Sequence, residues 1–370
     1  MVQRILARLS RTAAARYGTT CLVLLLITTF GVTPAWAAKK TDSAGVPAPP
    51  DLLLEGGRKL TFERSFGAEK DVLKPGFWTK VLNVVAGEPD YRVVARPYSV
   101  AVDSQGRAIV TDPGAGGVHI FDFARHKYKF LERKDKGKDA MRAPQCVALD
   151  AQDNIYVTDS EAGKLFVFDA SGKYQRALGS LKGGEGYFKR PTGIAVDSAA
   201  QRIYVTDTLR DQIFVLDMQG HVMQTIGKHG TGSGEFYYPT ELHIDHNDLL
   251  VVDAMNFRVQ WFGRNGNAEG MMGQIGDSVG QMFRPKGVAV DSEDHLYVVD
   301  GLSGLVQVFD RQGQLLYYFG KRGAGLGEFQ LPTGLFIDHD DRVFVVDSYN
   351  RRVQVFHYHG LPKQARGAGQ

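Results

Sequence analysis

The sequence predicts an all-β fold, a six-bladed β-propeller, from two regularities. The first is a proline that recurs at steps of 47, 47, 48, 46 and 47 residues: Pro97, Pro144, Pro191, Pro239, Pro285 and Pro332. The second is the content of each copy, four short apolar runs separated by turn residues, as in RPKGVAVDSEDHLYVVDGLSGLVQVFDRQGQLLYYFG from residue 284 to 320. A repeat of about this length with four strands is typical of a propeller blade, because one small sheet must stack on neighbours to bury its faces. Six copies imply six blades, which start near residues 96, 143, 190, 238, 284 and 331.

The first 37 residues have the pattern of an export signal peptide. An apolar stretch of about a dozen residues, 21–32, follows scattered arginines, and Ala35-Trp36-Ala37 is a typical cleavage motif. The stretch is too short to cross a bilayer comfortably, since a spanning helix needs roughly 20 residues. We therefore expect cleavage after Ala37, a periplasmic or secreted protein and no membrane span in the mature chain; an uncleaved anchor is the alternative.

Removal of that segment changes what charge and cysteine content imply. It carries four arginines and no acidic residue, so the formal net charge falls from +3 to 3 − 4 = −1. A nearly neutral mature chain gives no support for a nucleic-acid partner. Cys146 becomes the single remaining cysteine, which cannot form an internal disulfide. We interpret it as a small buried side chain and not as a catalytic thiol.

The residues that follow the signal lead to an unusual ring closure. Residues 38–58 are polar and proline-rich at first and are expected to be a flexible linker. Residues 59–67, KLTFERSFG, resemble the fourth strand of a blade, whereas the sixth copy lacks a fourth strand after Phe356. The sequence therefore predicts that 59–67 completes the last blade, which gives a propeller over 59–360 and a disordered tail over 361–370.

One segment departs from the strand pattern. In 74–86, KPGFWTKVLNVVA, the apolar residues fall at helical spacing, which predicts a short amphipathic helix before the first blade. Its apolar face is expected to cover part of the propeller, and a partner-binding helix is the alternative.

Two repeated residue types are assigned structural roles. Each copy has an aspartate after its first and its second strand, and a carboxylate at a strand end usually accepts backbone N–H groups in a turn. A large apolar residue stands three positions before the proline in four copies and is expected to fill the gap between blades: Phe188, Phe236, Met282 and Phe329.

Several copies resemble NHL repeats. The matching features are a P-x-G-[VIL] opening, as in RPTGIAVDS (190–198), and a D-x-x-N-x-R-V-Q segment, as in DAMNFRVQ (253–260) and DSYNRRVQ (347–354). The resemblance extends over residues 59–356, and the arrangement before the first copy is similar to that of secreted bacterial six-bladed propellers of this family. It implies the fold, whereas the functions in such proteins range from ligand sensing and protein or RNA binding to a few metal-dependent lyases.

An enzymatic role finds little support in the residue pattern. The lyases that this sequence resembles hold zinc with histidines from several blades, but His243 is the one histidine in a predicted first strand. No nucleophile elbow or patterned Ser/His/Asp set occurs. No cofactor and no metal site are predicted, and whether the protein is an enzyme stays open with a preference against it. The alternative is a metal-dependent lyase or hydrolase that uses His243 and Glu241 in the central channel.

One basic run is the feature of the sequence that would favour nucleic-acid binding. Residues 125–142 hold eight Lys or Arg against three acidic residues, with Tyr128 and Phe130 interleaved. Export and the nearly neutral mature chain favour a solvated blade edge instead. Contact with an anionic envelope surface is the alternative.

The remaining hypothesis is a non-catalytic platform, expected to be monomeric, that binds a protein or a small polar ligand. In a propeller the starts of the first strands and the loops between second and third strands gather on one face around the channel. Side chains there vary from copy to copy on a repeated frame, which is how a site is grafted onto a fold. The candidate binding residues are Tyr98, Gln145, Thr192, Glu241, His243, Lys286, Thr333, Arg210, Phe257, Tyr349 and Arg351.

Overall fold

The structure is a computed structural model that describes residues 47–74, 89–134, 136–184, 186–246 and 248–361. These residues belong to one compact unit, Val46–Gln370; a second unit, Met1–Gly45, lies outside them. The expected signal peptide, the first part of the linker, nearly all of the expected helix 74–86 and the tail after Leu361 also fall outside the described residues. Within the described ranges, no helix is long and apolar enough to cross a membrane.

Six antiparallel sheets form the propeller, as the repeat predicts. Blade 1 has β3 (Ser99–Val102), β4 (Ala108–Asp112), β5 (Gly117–Asp122) and β6 (Lys127–Glu132). Blade 2 has β7 (Pro144–Leu149), β8 (Ile155–Asp159), β9 (Lys164–Phe168) and β10 (Tyr174–Leu178). Blade 3 has β11 (Pro191–Asp197), β12 (Arg202–Asp207), β13 (Gln212–Asp217) and β14 (Val222–Ile226).

The other three blades follow the same order. Blade 4 has β15 (Pro239–Asp245), β16 (Asp248–Asp253), β17 (Arg258–Gly263) and β18 (Ala268–Met272). Blade 5 has β19 (Pro285–Val290), β20 (Leu296–Asp300), β21 (Leu305–Phe309) and β22 (Leu315–Phe319). Blade 6 has β23 (Pro332–Ile337), β24 (Arg342–Asp347) and β25 (Arg352–His359), followed by β2 (Lys59–Phe66) and β1 (Leu52–Leu53). The helices in the described ranges are four 3₁₀ turns: Glu55–Gly57, Glu69–Asp71, Gly137–Asp139 and Ala254–Asn256.

Blade 6 joins the two ends of the propeller. Strand β2 pairs antiparallel with β25, with Leu60 opposite Tyr358 and Phe66 opposite Val353, so it supplies the fourth strand that the sixth copy lacks. The expected linker is shorter than 38–58, because Leu52 and Leu53 pair with Leu60 and Lys59 as a fifth strand. The physical reason is the leucine run that follows the proline-rich segment, since Leu52 buries apolar surface against the core of blades 5 and 6.

The core is divided into six apolar clusters, and each contains residues from two neighbouring blades. The cluster between blades 6 and 1, for example, contains Phe66, Val346, Val110 and Phe121. Six clusters for six blades mean that the ring is closed. Between these same two blades, the Thr333 hydroxyl donates to the Tyr98 carbonyl at 2.7 Å.

The repeated aspartates have the structural role predicted for them. Asp159, fully buried, accepts hydrogen bonds from the backbone N–H groups of Arg142 and Ala143, which precede the proline of its own blade. The aspartates after the other second strands accept N–H groups from the same loop. Each carboxylate therefore fixes the loop that delivers the chain to the channel.

Part of the basic run 125–142 ties blade 1 to blade 2. The Lys129 ammonium donates to the carbonyl of Ser171 at 2.6 Å, and the Arg133 guanidinium lies 3.2 Å from the ring centre of Tyr174. These side chains contribute to blade stacking.

Candidate functional site

The first strands of the six blades surround the central channel, and their side chains vary by position. The second residue after the opening proline is glycine in blades 3, 5 and 6 (Gly193, Gly287, Gly334). A Cβ on these glycines would lie 2.4, 2.8 and 2.7 Å from backbone atoms of the next blade's first strand. Glycine is therefore required there by close approach of neighbouring strands.

A cavity of about 250 Å³ opens at the channel mouth, on the face where the first strands begin. Five of the predicted residues line it: Tyr98, Gln145, Lys286, Thr333 and Tyr349. The structure adds three arginines to this group that sequence reasoning missed: Arg96, Arg190 and Arg284.

The mouth cavity, meaning this 250 Å³ space, is strongly cationic. Arg96, Arg190, Arg284 and Lys286 all line it, and none of the described residues that line it is acidic. The pKa of Lys286 is lowered to about 8, mainly by burial and in part by the positive charges of Arg284 and Arg190. The cavity therefore has the electrostatics of an anion-binding site.

Tyr98 supplies an uncharged polar group on the wall of the mouth cavity. Burial raises the pKa of its phenol well above the ordinary value, and the nearby Cys146 and Glu241 act in the same direction. The phenol therefore stays protonated and can donate a hydrogen bond to an occupant of the cavity.

Glu241 lies deeper than predicted. The other candidates at the starts of first strands, such as Tyr98 and Gln145, directly follow the opening proline. In blade 4 Thr240 holds that position, and Glu241 is one residue further along β15. In a strand, one residue moves a side chain to the other face. Glu241 is buried at the level of Cys146, whose thiol donates to its Oε2 at 3.3 Å.

Both members of this pair favour their protonated forms. Burial raises the pKa of Glu241 to about 7, although the Cys146 thiol, the Leu242 N–H and the charge of Lys286 oppose the shift. Burial also raises the pKa of the Cys146 thiol well above its ordinary value, and Glu241 adds to that effect. A thiol held in this way is a poor nucleophile.

His243 lines a second cavity, of about 340 Å³, further along the channel. Most of its walls are aliphatic, and Glu241 and Phe336 also line it. Burial lowers the pKa of His243 to about 4, so the imidazole is neutral near pH 7. Within the described ranges, no three His, Cys, Asp or Glu side chains are grouped so that they could hold a metal ion.

Four predicted residues lie away from both cavities. Thr192 is buried and hydrogen-bonds Thr206 and Thr208 at 2.8 and 2.7 Å. Arg210 donates to the Tyr187 carbonyl at 3.0 Å and covers that tyrosine's ring. Phe257 and Arg351 have the left-handed backbone conformation at the start of third strands. These four residues shape the loops of the frame and do not line the site.

The missed arginines have a sequence signal. Arginine directly precedes the opening proline in copies one, three and five, and an uncharged residue stands there in the other copies. The repeat itself requires Asp and Gly at fixed positions in each copy. The arginine occurs in every second copy, so it reflects the arrangement of blades around the ring and not the requirements of a single blade.

Comparisons with known proteins agree on the architecture. A family model described as a 6-bladed beta-propeller matches residues 194–266 and 287–364. No curated protein matches the chain.

Similar solved structures have varied functions. Selenomethionine-substituted virginiamycin B lyase from Staphylococcus aureus has a TM-score of 0.53 at 13% identity, over 81% of this chain and 99% of that one. A gluconolactonase from Xanthomonas campestris has a TM-score of 0.55 at 16% identity, over 85% of this chain and 98% of that one. An auxiliary nutrient binding protein from Bacteroides thetaiotaomicron has a TM-score of 0.56 at 11% identity, over 72% of this chain and 70% of that one. At these identities the likeness shows the fold, and this chain is a six-bladed β-propeller with a cationic mouth cavity.

Proposed function

We propose that the protein is a non-catalytic platform that binds a small polar ligand in the mouth cavity. One observation carries the proposal: polar side chains from blades 1, 2, 3, 5 and 6 converge on one small open space while the frame behind them repeats. Small-molecule sites are concave and hold a few convergent polar groups.

The chemistry of the lining supports binding over catalysis. Within the part of the chain that the structure describes, the residues that line the mouth cavity include no carboxylate, imidazole or thiol. The channel thiol, Cys146, is fully buried and stays protonated. The similar structures include both enzymes and a binding protein, so the residues of this chain decide the choice.

A cavity-filling variant tests the proposal. We expect at least one compound from a panel of amino acids, sugars, organic acids and phosphate esters to raise the melting temperature of the purified protein. Gln145→Trp, which fills the mouth cavity, should abolish that shift, whereas Gln312→Trp in the exposed hairpin of blade 5 should preserve it. Absence of any binder would contradict the proposal, and stoichiometric zinc or calcium in the purified protein would favour the metal-dependent lyase or hydrolase instead.

A protein partner on the same face is a second candidate. Large apolar side chains are exposed in the loops around the mouth: Leu209, Tyr237, Tyr238, Met255, Phe283 and Tyr349. Exposed apolar groups around a polar centre are typical of interaction surfaces. A partner captured from an envelope extract should be lost on Phe283→Asp together with Leu209→Asp; capture that survives both changes would exclude this face.

Export is part of the proposal and rests on residues 1–37. In the native host, the mature protein should begin at Ala38 and fractionate with the envelope or the medium. N-terminal sequencing checks this, and a cytoplasmic protein that keeps Met1 would contradict it.

A further inference from the structure

Arginine side chains from every second blade meet in the mouth cavity. Arg96, Arg190 and Arg284 directly precede the opening prolines of blades 1, 3 and 5, and all three line this one space. The blades follow one another around a closed ring, so three guanidinium groups approach the channel axis from three directions.

The backbone of each arginine is anchored. The N–H groups of Arg96 and Arg190 donate to the buried carboxylates of Asp112 and Asp207, each at 3.0 Å. The N–H of Arg284 donates in the same way to Asp300 at 2.8 Å. The frame therefore fixes where the three side chains start and leaves their charged ends to an occupant of the cavity.

The charged ends are not neutralised by the protein. Among the described residues, none of the three guanidinium groups has an ion-pair partner, and Lys286, on which the charge of Glu241 acts, adds a fourth cation. By contrast, Arg258 contacts Asp253 at 2.9 Å and Arg352 contacts Asp347 at 2.7 Å. Four like charges around one small space repel each other, so a bound anion would lower the electrostatic free energy of the cavity.

Blades 4 and 6 lack an arginine at this position. There the residue before the proline, Tyr238 or Leu331, has a left-handed backbone, with φ of 58° and 47°. The second-strand aspartates of these blades bind Asn256 with Arg258 and Asn350 with Arg352. Arg258 and Arg352 are thus part of the frame, as is Arg210 of blade 3, which lies 3.4 Å from Asp207. The arginines that precede the prolines of blades 1, 3 and 5 hold no such position and are available to a ligand.

We propose that the mouth cavity selects a compact polyanion, with two or three carboxylate or phosphate groups held by Arg96, Arg190 and Arg284. This inference rests on the proposed function and names the chemical class of the ligand. Guanidinium groups bind carboxylates and phosphates through paired N–H donors, which gives both charge and geometry. The cavity of about 250 Å³ is at or below the lower end of the range for small-molecule sites, roughly 300 to 1,000 Å³, so the ligand is expected to be small.

Isothermal titration of the purified protein tests the inference with defined probes. The probes are propane-1,2,3-tricarboxylate, its singly charged relative butyrate, and inorganic pyrophosphate, which separates phosphate from carboxylate recognition. We expect one of the two polyanions to bind at least tenfold more tightly than butyrate, with an affinity that falls as sodium chloride is raised.

Matched substitutions locate the site. Arg96→Gln, Arg190→Gln and Arg284→Gln should each weaken the favoured polyanion on the order of 10- to 100-fold, because each removes a charge-assisted contact. The control is Arg142→Gln. Arg142 is exposed, precedes the blade 2 proline by two residues and does not line the cavity, so this variant should bind the polyanion as tightly as the parent protein does.

The outcomes separate this inference from the proposed function. A polyanion that binds no better than butyrate, or that is equally weakened by Arg142→Gln and Arg190→Gln, overturns the inference. If a neutral compound binds the parent protein and not the Gln145→Trp variant, the proposed binding platform is supported and only the selection of polyanions is wrong.

Discussion

Single residues decide what the channel can do, and Glu241 shows how narrow the margin is. In the column that it shares with Cys146, three blades have glycine, because a side chain there would contact the next blade. The missing side chain at Gly193, in the blade between them, leaves room for the Glu241 carboxylate and the Cys146 thiol to meet at 3.3 Å. Sequence reasoning placed Glu241 on the rim because the repeat that begins at Pro239 was aligned one residue out of register.

The raised pKa of Glu241 predicts a pH-dependent stability. In the unfolded chain the carboxyl titrates near 4.5, and in the folded protein near 7, so the folded state holds the proton more tightly. Its contribution to the free energy of unfolding is therefore intact below pH 4.5, falls as the pH rises to 7 and is lost above 7. Glu241→Gln should remove this loss. Its free energy of unfolding should exceed that of the parent protein by about 3 kcal/mol above pH 7 and should differ little from it below pH 4.5.

Urea unfolding at several pH values measures this difference. The exposed Glu161→Gln serves as the control for a change of charge alone. A Glu241→Gln variant whose advantage does not grow between pH 4.5 and 7 would show that Glu241 is ionised in the folded protein at all these values.

Elements of the propeller are joined by apolar plugs between blades. The four that the sequence identified are buried: Phe188, Phe236, Met282 and Phe329. Met141 and Val94 occupy the same position in blades 2 and 1 and are equally buried, so all six interfaces have a plug. Sequence reasoning missed these two because their loops lack the glycine-rich pattern that marks the others. The expected helix at 74–86 remains a prediction.

Truncation of a plug should destabilise the whole protein. Phe236→Ala or Phe329→Ala is expected to reduce the free energy of unfolding by about 3 to 5 kcal/mol, because each ring is fully buried between two blades. The exposed Phe283→Ala, next to the Met282 plug, should change it by only about 0.5 kcal/mol. Chemical denaturation measures both; a loss below 1 kcal/mol for Phe236→Ala would show that the interface refills the space.

The whole molecule depends on one closure, the pairing of β2 with β25. The repeat predicted this pairing, because a copy without a fourth strand and a fourth strand without a copy stood at opposite ends of the chain. Blade number and closure depend on periodicity and are visible in one sequence. The contents of the channel depend on which side chains from distant blades face the same space, and periodicity does not encode that.

Removal of the closing strand should therefore destabilise the ring. A chain that lacks residues 1–67 loses buried Leu60 and Phe66 and exposes β25 as an unpaired edge. Its melting temperature should fall by roughly 10 °C or more, from burial worth about 1.5 to 3 kcal/mol for each side chain. Deletion of residues 1–37, which leaves β1 and β2 in place, is the control. Equal melting of both truncated chains by circular dichroism would contradict a stabilising role for β2.

The same closure has a consequence for biosynthesis. Thr61 and His359, which meet in blade 6, are 298 residues apart in the chain. Strand β2 therefore cannot pair with β25 until all the residues between them have been synthesised, and until then an open sheet edge is available to other chains. Closure of blade 6 is therefore expected to be a late step in folding, because it depends on contacts between residues far apart in the chain.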